Sequence, residues 1–230
     1  MATITTTDQS LLRLMQLSSA NLPVGGYAFS QGLEYAVESG WISDEQGADH
    51  WIRLLMRQSM ARVDLPILWR LEQALQQKRV PDFWLWNATL LACRETKELL
   101  LNETAMGTAL VRLLKQFAIE LPDHNSQKNR QKIAFLSAFV CAGQHWQIAP
   151  KAMAIGYLWS WLENQIAAAI KLVPLGQSAA QKLLVSLSED AAEIIEQSWQ
   201  IDDTEIGSSL PGVAMASSWH ETQYSRLFRS

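Results

Sequence analysis

Three glycines and a proline crowd into Leu22-Pro-Val-Gly-Gly-Tyr-Ala-Phe-Ser-Gln-Gly-Leu-Glu34, and a glycine-rich segment ahead of a helix is where a protein would cradle a phosphate. The spacing decides against that chemistry. Gly25, Gly26 and Gly32 fit neither G-x-x-x-x-G-K-[ST] nor G-x-G-x-x-G, and no lysine follows Gly32. Metal chemistry fares no better: His50, His124, His145 and His220 are scattered, with no H-E-x-x-H, no H-x-H and no C-x-x-C. His220-Glu221 is an adjacent His-carboxylate pair, but neighbours on a helix do not face one way. A serine or cysteine nucleophile would want a G-x-S-x-G elbow or a recognisable cysteine signature; neither occurs, and Cys93 and Cys141 read as buried thiols.

Two charged segments remain. Arg94-Glu-Thr-Lys-Glu98 sits in an apolar neighbourhood; it reads either as a solvated helical surface carrying Glu95, Lys97 and Glu98, or as a polar anchor between helices or for a partner. The tail from Trp219 to Ser230 interleaves rings and arginines, with Tyr224, Arg226, Phe228 and Arg229. Aromatic plus Arg is the composition of interface anchors, although such a tail can equally dock on its own core.

The glycine segment itself is a shaped turn. Pro23 fixes its own φ and pushes Leu22 toward an extended conformation, while Gly25-Gly26 can take angles closed to other residues. The chain is expected to reverse here and to display Tyr27 and Phe29 at the start of the next helix. Apolar residues recur at three and four positions throughout, Leu and Ala dominate, and no segment reads as a strand. The expected fold is all-α: one irregular bundle of eight to ten helices forming a single domain over residues 1–230, with a partner-binding tail at about 210–230.

The helices are expected at Asp8 to Leu17, with Leu11, Leu14, Met15 and Ser18 on one side, and along a Phe29, Leu33, Val37 stripe ending at Gly40. Others follow a cap at Ser43 or Asp44, start or kink at Pro66, and open at Pro81. Four more are expected at Glu95 to Phe117, Gln131 to Trp146, Pro150 to Leu172 and Gln177 to Gln200. Ten tryptophans are spread across the chain. Trp84 with Trp86, and Trp159 with Trp161, stand two apart and cannot all face one core, so one of each pair is a candidate exposed ring.

With 230 residues, 48% hydrophobic and 18% charged, the chain can bury a sizeable core. A net charge of −4 and no basic run argue against nucleic acid. The longest apolar stretches fall short of the roughly 20 residues that span a bilayer. The N-terminus shows no secretory signal, and the expected location is the cytoplasm.

Four blocks in order carry a resemblance: Leu22 to Glu34, Arg94-Glu-Thr-Lys-Glu-Leu99, Lys171-Leu-Val-Pro-Leu-Gly-Gln177 and His220 to Ser230. Over essentially its full length the chain resembles the urease accessory protein UreF family. It departs from the pattern where Tyr27 and Phe29 exchange Phe and Tyr, and where Lys97 stands for a frequent Arg. The resemblance implies an all-α, non-enzymatic assembly factor for the nickel centre of urease, without a cofactor of its own. It implies a homodimer that binds the D-type (or H-type) accessory protein and then the G-type GTPase, the complex coupling GTP hydrolysis to nickel insertion into apo-urease.

The partner-binding candidates that follow from it are Gly25, Gly26, Tyr27, Phe29 and Glu34 of the turn; Arg94 and Glu95; Lys171; and His220, Glu221, Tyr224, Arg226, Phe228 and Arg229 of the tail. In this reading the tail orders on the D-type partner and fixes the turn that receives the GTPase. An alternative makes the protein a GTPase activator or regulator that inserts Arg226 or Arg229.

Overall fold

The computed structural model describes residues 7–123 and 132–229; residues 1–6, 124–131 and 230, and with them His124, lie outside the described residues. Among the described residues the regular elements are all helical, as the three-and-four spacing required. Helix α1 (Asp8–Leu17) is capped by Thr7, whose hydroxyl accepts from Ser10 N at 3.2 Å. Leu14 and Ser18 turn inward, but Leu11 and Met15 are exposed, which corrects the expected face. The cause is a close crossing: a Cβ on Gly156 would come within 2.4 Å of Leu14 Cδ1 and 2.6 Å of Ser18 Oγ.

Helix α2 (Leu33–Glu38) is shorter than the expected stripe. Gly32 (φ 86°) precedes it in a left-handed conformation, so Phe29 lies outside the helix on extended backbone. Helix α3 (Glu45–Leu55), capped by Asp44, continues without a break through a π-helical stretch, Met56–Asp64, into α4 (Leu65–Gln76). Pro66 supplies the reason: it has no N–H to donate, and its ring crowds the carbonyl four residues back. The wide turn relieves that crowding, and the freed carbonyl of Arg62 accepts from Gly207 N at 3.2 Å.

Helix α5 (Val80–Ala92) opens at Pro81, and α6 (Lys97–Gln116) starts at a Thr96 cap accepting from Leu99 N. Helix α7 (Phe135–His145) is buried from Phe135 to Gly143 and forms the centre of the bundle, packed against α4, α6 and α8 (Pro150–Leu172). The single helix expected over 177–200 is two, α9 (Gln177–Glu189) and α10 (Ala191–Ser198). They break at Asp190, whose carboxylate accepts from Arg53 at 3.1 Å and Arg57 at 2.6 Å.

Helix α11 (Pro211–His220) was not expected as a helix. Its small residues serve a crossing over the turn: a Cβ on Gly32 would lie 3.3 Å from both Ser217 N and Val213 O. Among the described residues no helix is long and apolar enough to cross a membrane. Trp159 is exposed as one ring of its pair had to be, while Trp84 and Trp86 are both half-buried and Leu85 between them points out.

Candidate functional site

The turn before α2 is held from both ends. Gly25 (φ 79°) starts one 3-10 turn, Gly26–Ala28, which leaves Tyr27 exposed and Gly26 buried. Phe29 is buried in the core, so of the two rings expected on display only Tyr27 is. Gln31 adopts φ 52°, a left-handed conformation that costs a non-glycine residue about 1 kcal/mol or more. It is held there by its side chain, whose Oε1 accepts from Trp161 Nε1 at 3.0 Å and Gln165 Nε2 at 3.1 Å on α8.

At the end of the turn Glu34 is buried. A buried carboxylate needs donors for both oxygens, and the far end of the chain provides them. Leu227 N donates to Glu34 Oε1 at 2.6 Å and Phe228 N to Oε2 at 3.0 Å, while His220 Nε2 lies 2.9 Å from the same Oε2. The other ring nitrogen, Nδ1, stands 3.0 Å from each oxygen of Glu98 at the start of α6. Burial lowers the basicity of the His220 imidazole, but its hydrogen bonds to Glu98 and Glu34 and their charges outweigh burial and raise its pKa above the ordinary value. Arg229 N donates to Ala28 O at 2.8 Å, and the ring of Phe228 tucks in under Lys171, whose Nζ lies 5.2 Å from its centre.

The tail therefore docks on its own body, one of the two readings its composition allowed. The candidates separate accordingly. His220, Glu34 and Phe228 are buried and Glu221 is half-buried, whereas Tyr224, Arg226 and Arg229 remain exposed. Glu98, outside the candidate set, is the partner that the adjacent Glu221 cannot be.

Beside this clamp lies a second buried ionic cluster. Arg94 donates through Nη1 and Nη2 to the two oxygens of Asp64 at 3.2 and 2.6 Å, and through Nε and Nη2 to Glu103 Oε2 at 3.1 and 2.7 Å. Tyr157 of α8 donates its hydroxyl to Asp64 Oδ1 at 3.0 Å, and Leu136 N of α7 donates to Glu103 Oε1 at 3.2 Å. Burial opposes the charge on Arg94, but Asp64 and Glu103 hold its pKa well above the usual guanidinium value. Burial first, and then the charge of Asp64, raise that of Tyr157, which stays a donor.

The solvated-surface reading of this segment is thus overturned for Glu98, which together with Arg94 serves as the polar anchor between helices that the segment's other reading allowed. It holds for Lys97 and for Glu95, which is exposed and accepts from Ser209 Oγ. Cys93 borders the cluster half-buried, and Cys141 is buried with its thiol pKa pushed far up by desolvation.

The ionic cluster floors a cavity of about 80 Å³ that adjoins one of about 40 Å³; both are walled by Gln31, Asn102, Glu103, Tyr157 and Trp161. Asn102 Oδ1 and Gln165 Oε1 have no protein partner, so the space beneath the turn is polar and suited to water. Among the described residues no group of three or more His, Cys, Asp or Glu is arranged to hold a metal ion.

The four sequence blocks thus come together around the turn, and comparison with known proteins finds relatives over the whole chain. A family model, UreF, matches residues 42–188. Urease accessory protein UreF of Marinomonas sp. (strain MWYL1) is 50% identical over 227 residues, covering 99% of this chain and 97% of that protein. Those of Alkalilimnicola ehrlichii and of Klebsiella pneumoniae subsp. pneumoniae are each 44% identical, covering 100% and 97% of this chain and 100% and 99% of theirs. The chain belongs to the UreF family. The span matched by the family model stops short of both the turn and the tail, and the full-length relatives extend the likeness across them.

Sequence reasoning missed Gln31, Asp64, Glu103 and Tyr157 as members of these clusters. Gln31 carried no signal, since its left-handed backbone is set by Trp161 and Gln165. For Asp64 a hint existed: a lone carboxylate in Met60-Ala-Arg-Val-Asp-Leu-Pro-Ile-Leu68 sits where a buried partner is needed.

Proposed function

We propose that this protein serves urease maturation as a non-enzymatic adaptor. Its strapped turn is the docking surface on which the D/H-type accessory protein and the G-type GTPase assemble for GTP-dependent nickel insertion into apo-urease, nickel being the cargo. The observation that carries this reading is the clamp. Two segments almost two hundred residues apart in sequence are locked by Glu34, His220 and Glu98 so that Tyr27, Tyr224 and Leu227 stand out as exposed rings and apolar side chains around a rigid turn. Exposed apolar residues on a rigid polar-rimmed base are what hot spots are built from. In the same reading a second copy of the chain pairs through the apolar side chains that α1 and α8 leave exposed, Leu11, Leu12 and Met15 with Ile155 and Trp159.

Co-purification of the full chain with both accessory proteins tests the adaptor role. Tyr27→Ala, and separately deletion of Tyr224 to Ser230, should leave the helical circular-dichroism spectrum in place and reduce capture of the partners at least tenfold, about 1.4 kcal/mol. Unchanged capture by both variants refutes it. GTP turnover by the G-type partner with Arg229→Ala checks the activator alternative. Arg229 is the freer candidate, because the Arg226 guanidinium already lies 3.6 Å from Glu98.

A further inference from the structure

The turn that residues 226–229 strap from outside is undercut from inside. Gly26, Phe29 and Gln31 line the cavity of about 40 Å³ on the side of the turn, with Asn102 and Glu103 of α6 and Tyr157, Trp161 and Gln165 of α8 opposite. The polar groups of this wall are unbalanced. The indole of Trp161 can only donate, so Gln31 Oε1 is the acceptor at 3.0 Å, and Gln165 must present its Nε2 to the same oxygen at 3.1 Å. That orientation leaves Gln165 Oε1 without a donor among the described residues, and Asn102 Oδ1 is equally unmatched. Both side chains are more than nine-tenths buried, with exposures of 1% and 7%. The charges are unbalanced in the same sense. Glu103, which borders the cavity, and Asp64 behind it share the single guanidinium of Arg94, so one negative charge stays uncancelled in a place closed to bulk water.

We propose that this cavity binds a monovalent cation, held by the two orphaned amide oxygens and by the negative charge that Arg94 leaves uncancelled, and that the ion ties the turn to α6 and α8. A water would give the two oxygens their donors but bring no charge. The donor set selects the ion. Oxygen ligands favour hard cations over soft ones. Each carboxylate oxygen already accepts a hydrogen bond: Asp64 Oδ1 from Arg94 and Tyr157, Asp64 Oδ2 from Arg94, Glu103 Oε1 from Leu136 N and Glu103 Oε2 from Arg94. The ion therefore touches neutral amide oxygens and feels the carboxylates through space, and a single positive charge restores neutrality. A divalent ion would overshoot it and would claim the carboxylate oxygens for itself. The consequence is local to the turn: opening it at Gly26, Phe29 and Gln31 removes one side of the site, so the ion binds only the closed form and stabilises it. The site is a property of the chain by itself and goes beyond the adaptor role proposed above.

A salt-exchange series on the full-length chain tests it. At fixed pH and ionic strength, tetramethylammonium chloride, whose cation is too large for the cavity, is replaced stepwise by KCl, NaCl or NH₄Cl, and the thermal midpoint and amide hydrogen exchange are followed. The midpoint should rise with at least one of the three small cations, and the salt that acts at the lowest concentration names the ion. Exchange of the Phe29 amide, bonded to Gly26 O at 3.2 Å, should slow about tenfold for each tenfold rise in that cation beyond its dissociation constant. Crystals grown with RbCl should show an anomalous peak between Asn102 and Gln165. Asn102→Leu keeps the volume and removes one ligand, and should abolish the response while leaving the helical circular-dichroism spectrum in place. Asn102→Asp makes that ligand an anion and should lower the half-saturating concentration about tenfold. Midpoint and exchange that are the same in all four salts mean a cavity holding water only and overturn the proposal, as does a response that survives Asn102→Leu unaltered. Should the leucine variant fail to fold, the wild-type salt series and Asn102→Asp still decide.

Discussion

Removing the guanidinium at position 94 isolates the contribution of the second buried cluster. In Arg94→Met the chain keeps its volume but Asp64 and Glu103 lose their shared cation. Asp64 is left with one hydrogen bond, from the Tyr157 hydroxyl, and Glu103 with one, from Leu136 N. Both carboxylates are buried, at side-chain exposures of 2% and 9%. Breaking a buried pair by deleting one member costs about 3–5 kcal/mol, because the remaining charge stays out of water. Set against a total stability of about 5–15 kcal/mol, such a loss leaves the variant folded but much closer to its midpoint. Arg94→Lys keeps the charge and loses the fork that spans two carboxylates, and should cost about 1.5–3 kcal/mol, the worth of the charged hydrogen bonds that go.

Urea unfolding followed by tryptophan fluorescence reads these losses directly, and pH supplies an internal check. Two unpaired, buried, neighbouring carboxylates must have folded-state pKa values above the unfolded ones. Their penalty is therefore complete above those raised values and fades as pH falls, since protonation neutralises them in the folded state. The deficit of Arg94→Met relative to wild type should shrink between pH 7.5 and pH 5. A deficit below about 1 kcal/mol, or one that grows on acidification, would refute the assignment of this cluster as a buried tie between the π-helical stretch, α6, α7 and α8.

Gln31→Ala strands the donors of Trp161 and Gln165 while leaving position 31 at φ 52°. It should cost about 1–3 kcal/mol for each donor that finds no water, and thermal unfolding checks it. Gly32→Ala adds a side chain at φ 86° with backbone atoms of α11 only 3.3 Å away. Its cost should exceed that of Gly25→Ala, where φ is 79° but no atom lies within 4 Å. The left-handed strain alone is about 1–2 kcal/mol, or roughly 2–8 °C in midpoint for a chain of this size, and scanning calorimetry on the pair separates strain from crowding.

The fold was largely legible because periodicity and punctuation are local signals. Thr7 does not announce itself, but the apolar spacing from Leu11 to Leu17 does, and Pro150 and Pro174 bracket α8. What failed locally failed for tertiary reasons. Pro66 reads as a helix start, yet the π-helical turn ahead of it and the Gly207 amide that takes up the Arg62 carbonyl keep the rod continuous. The face of α1 was misjudged because leucines lie on more than one side of it, and only the crossing at Gly156 decides which of them go in. Helix α11 was hidden because alanine, serine and glycine form no apolar stripe; they are there to let backbones approach.

The site was legible as four separated blocks and illegible as a wall. Glu34 and His220 are polar residues whose types say nothing of burial until the chain between them is folded, and no helical spacing links positions 186 apart. The same distance argument explains why His220-Glu221 misleads. Adjacency in sequence suggests a pair, whereas α11 points His220 inward and leaves Glu221 at the edge. The tail's composition, rings interleaved with arginines, suits an interface in either case, and the structure divides the labour residue by residue. Phe228 and the amides of 227 and 228 are spent on the protein's own body; Tyr224, Leu227 and Arg229 are left outside. A surface made in this way exists only while both chain ends are fastened, so substitutions in the buried clamp and substitutions of the exposed rings should weaken partner capture alike. Only the clamp substitutions should also loosen the strap amides, and that asymmetry distinguishes a scaffolded surface from a tail that binds on its own.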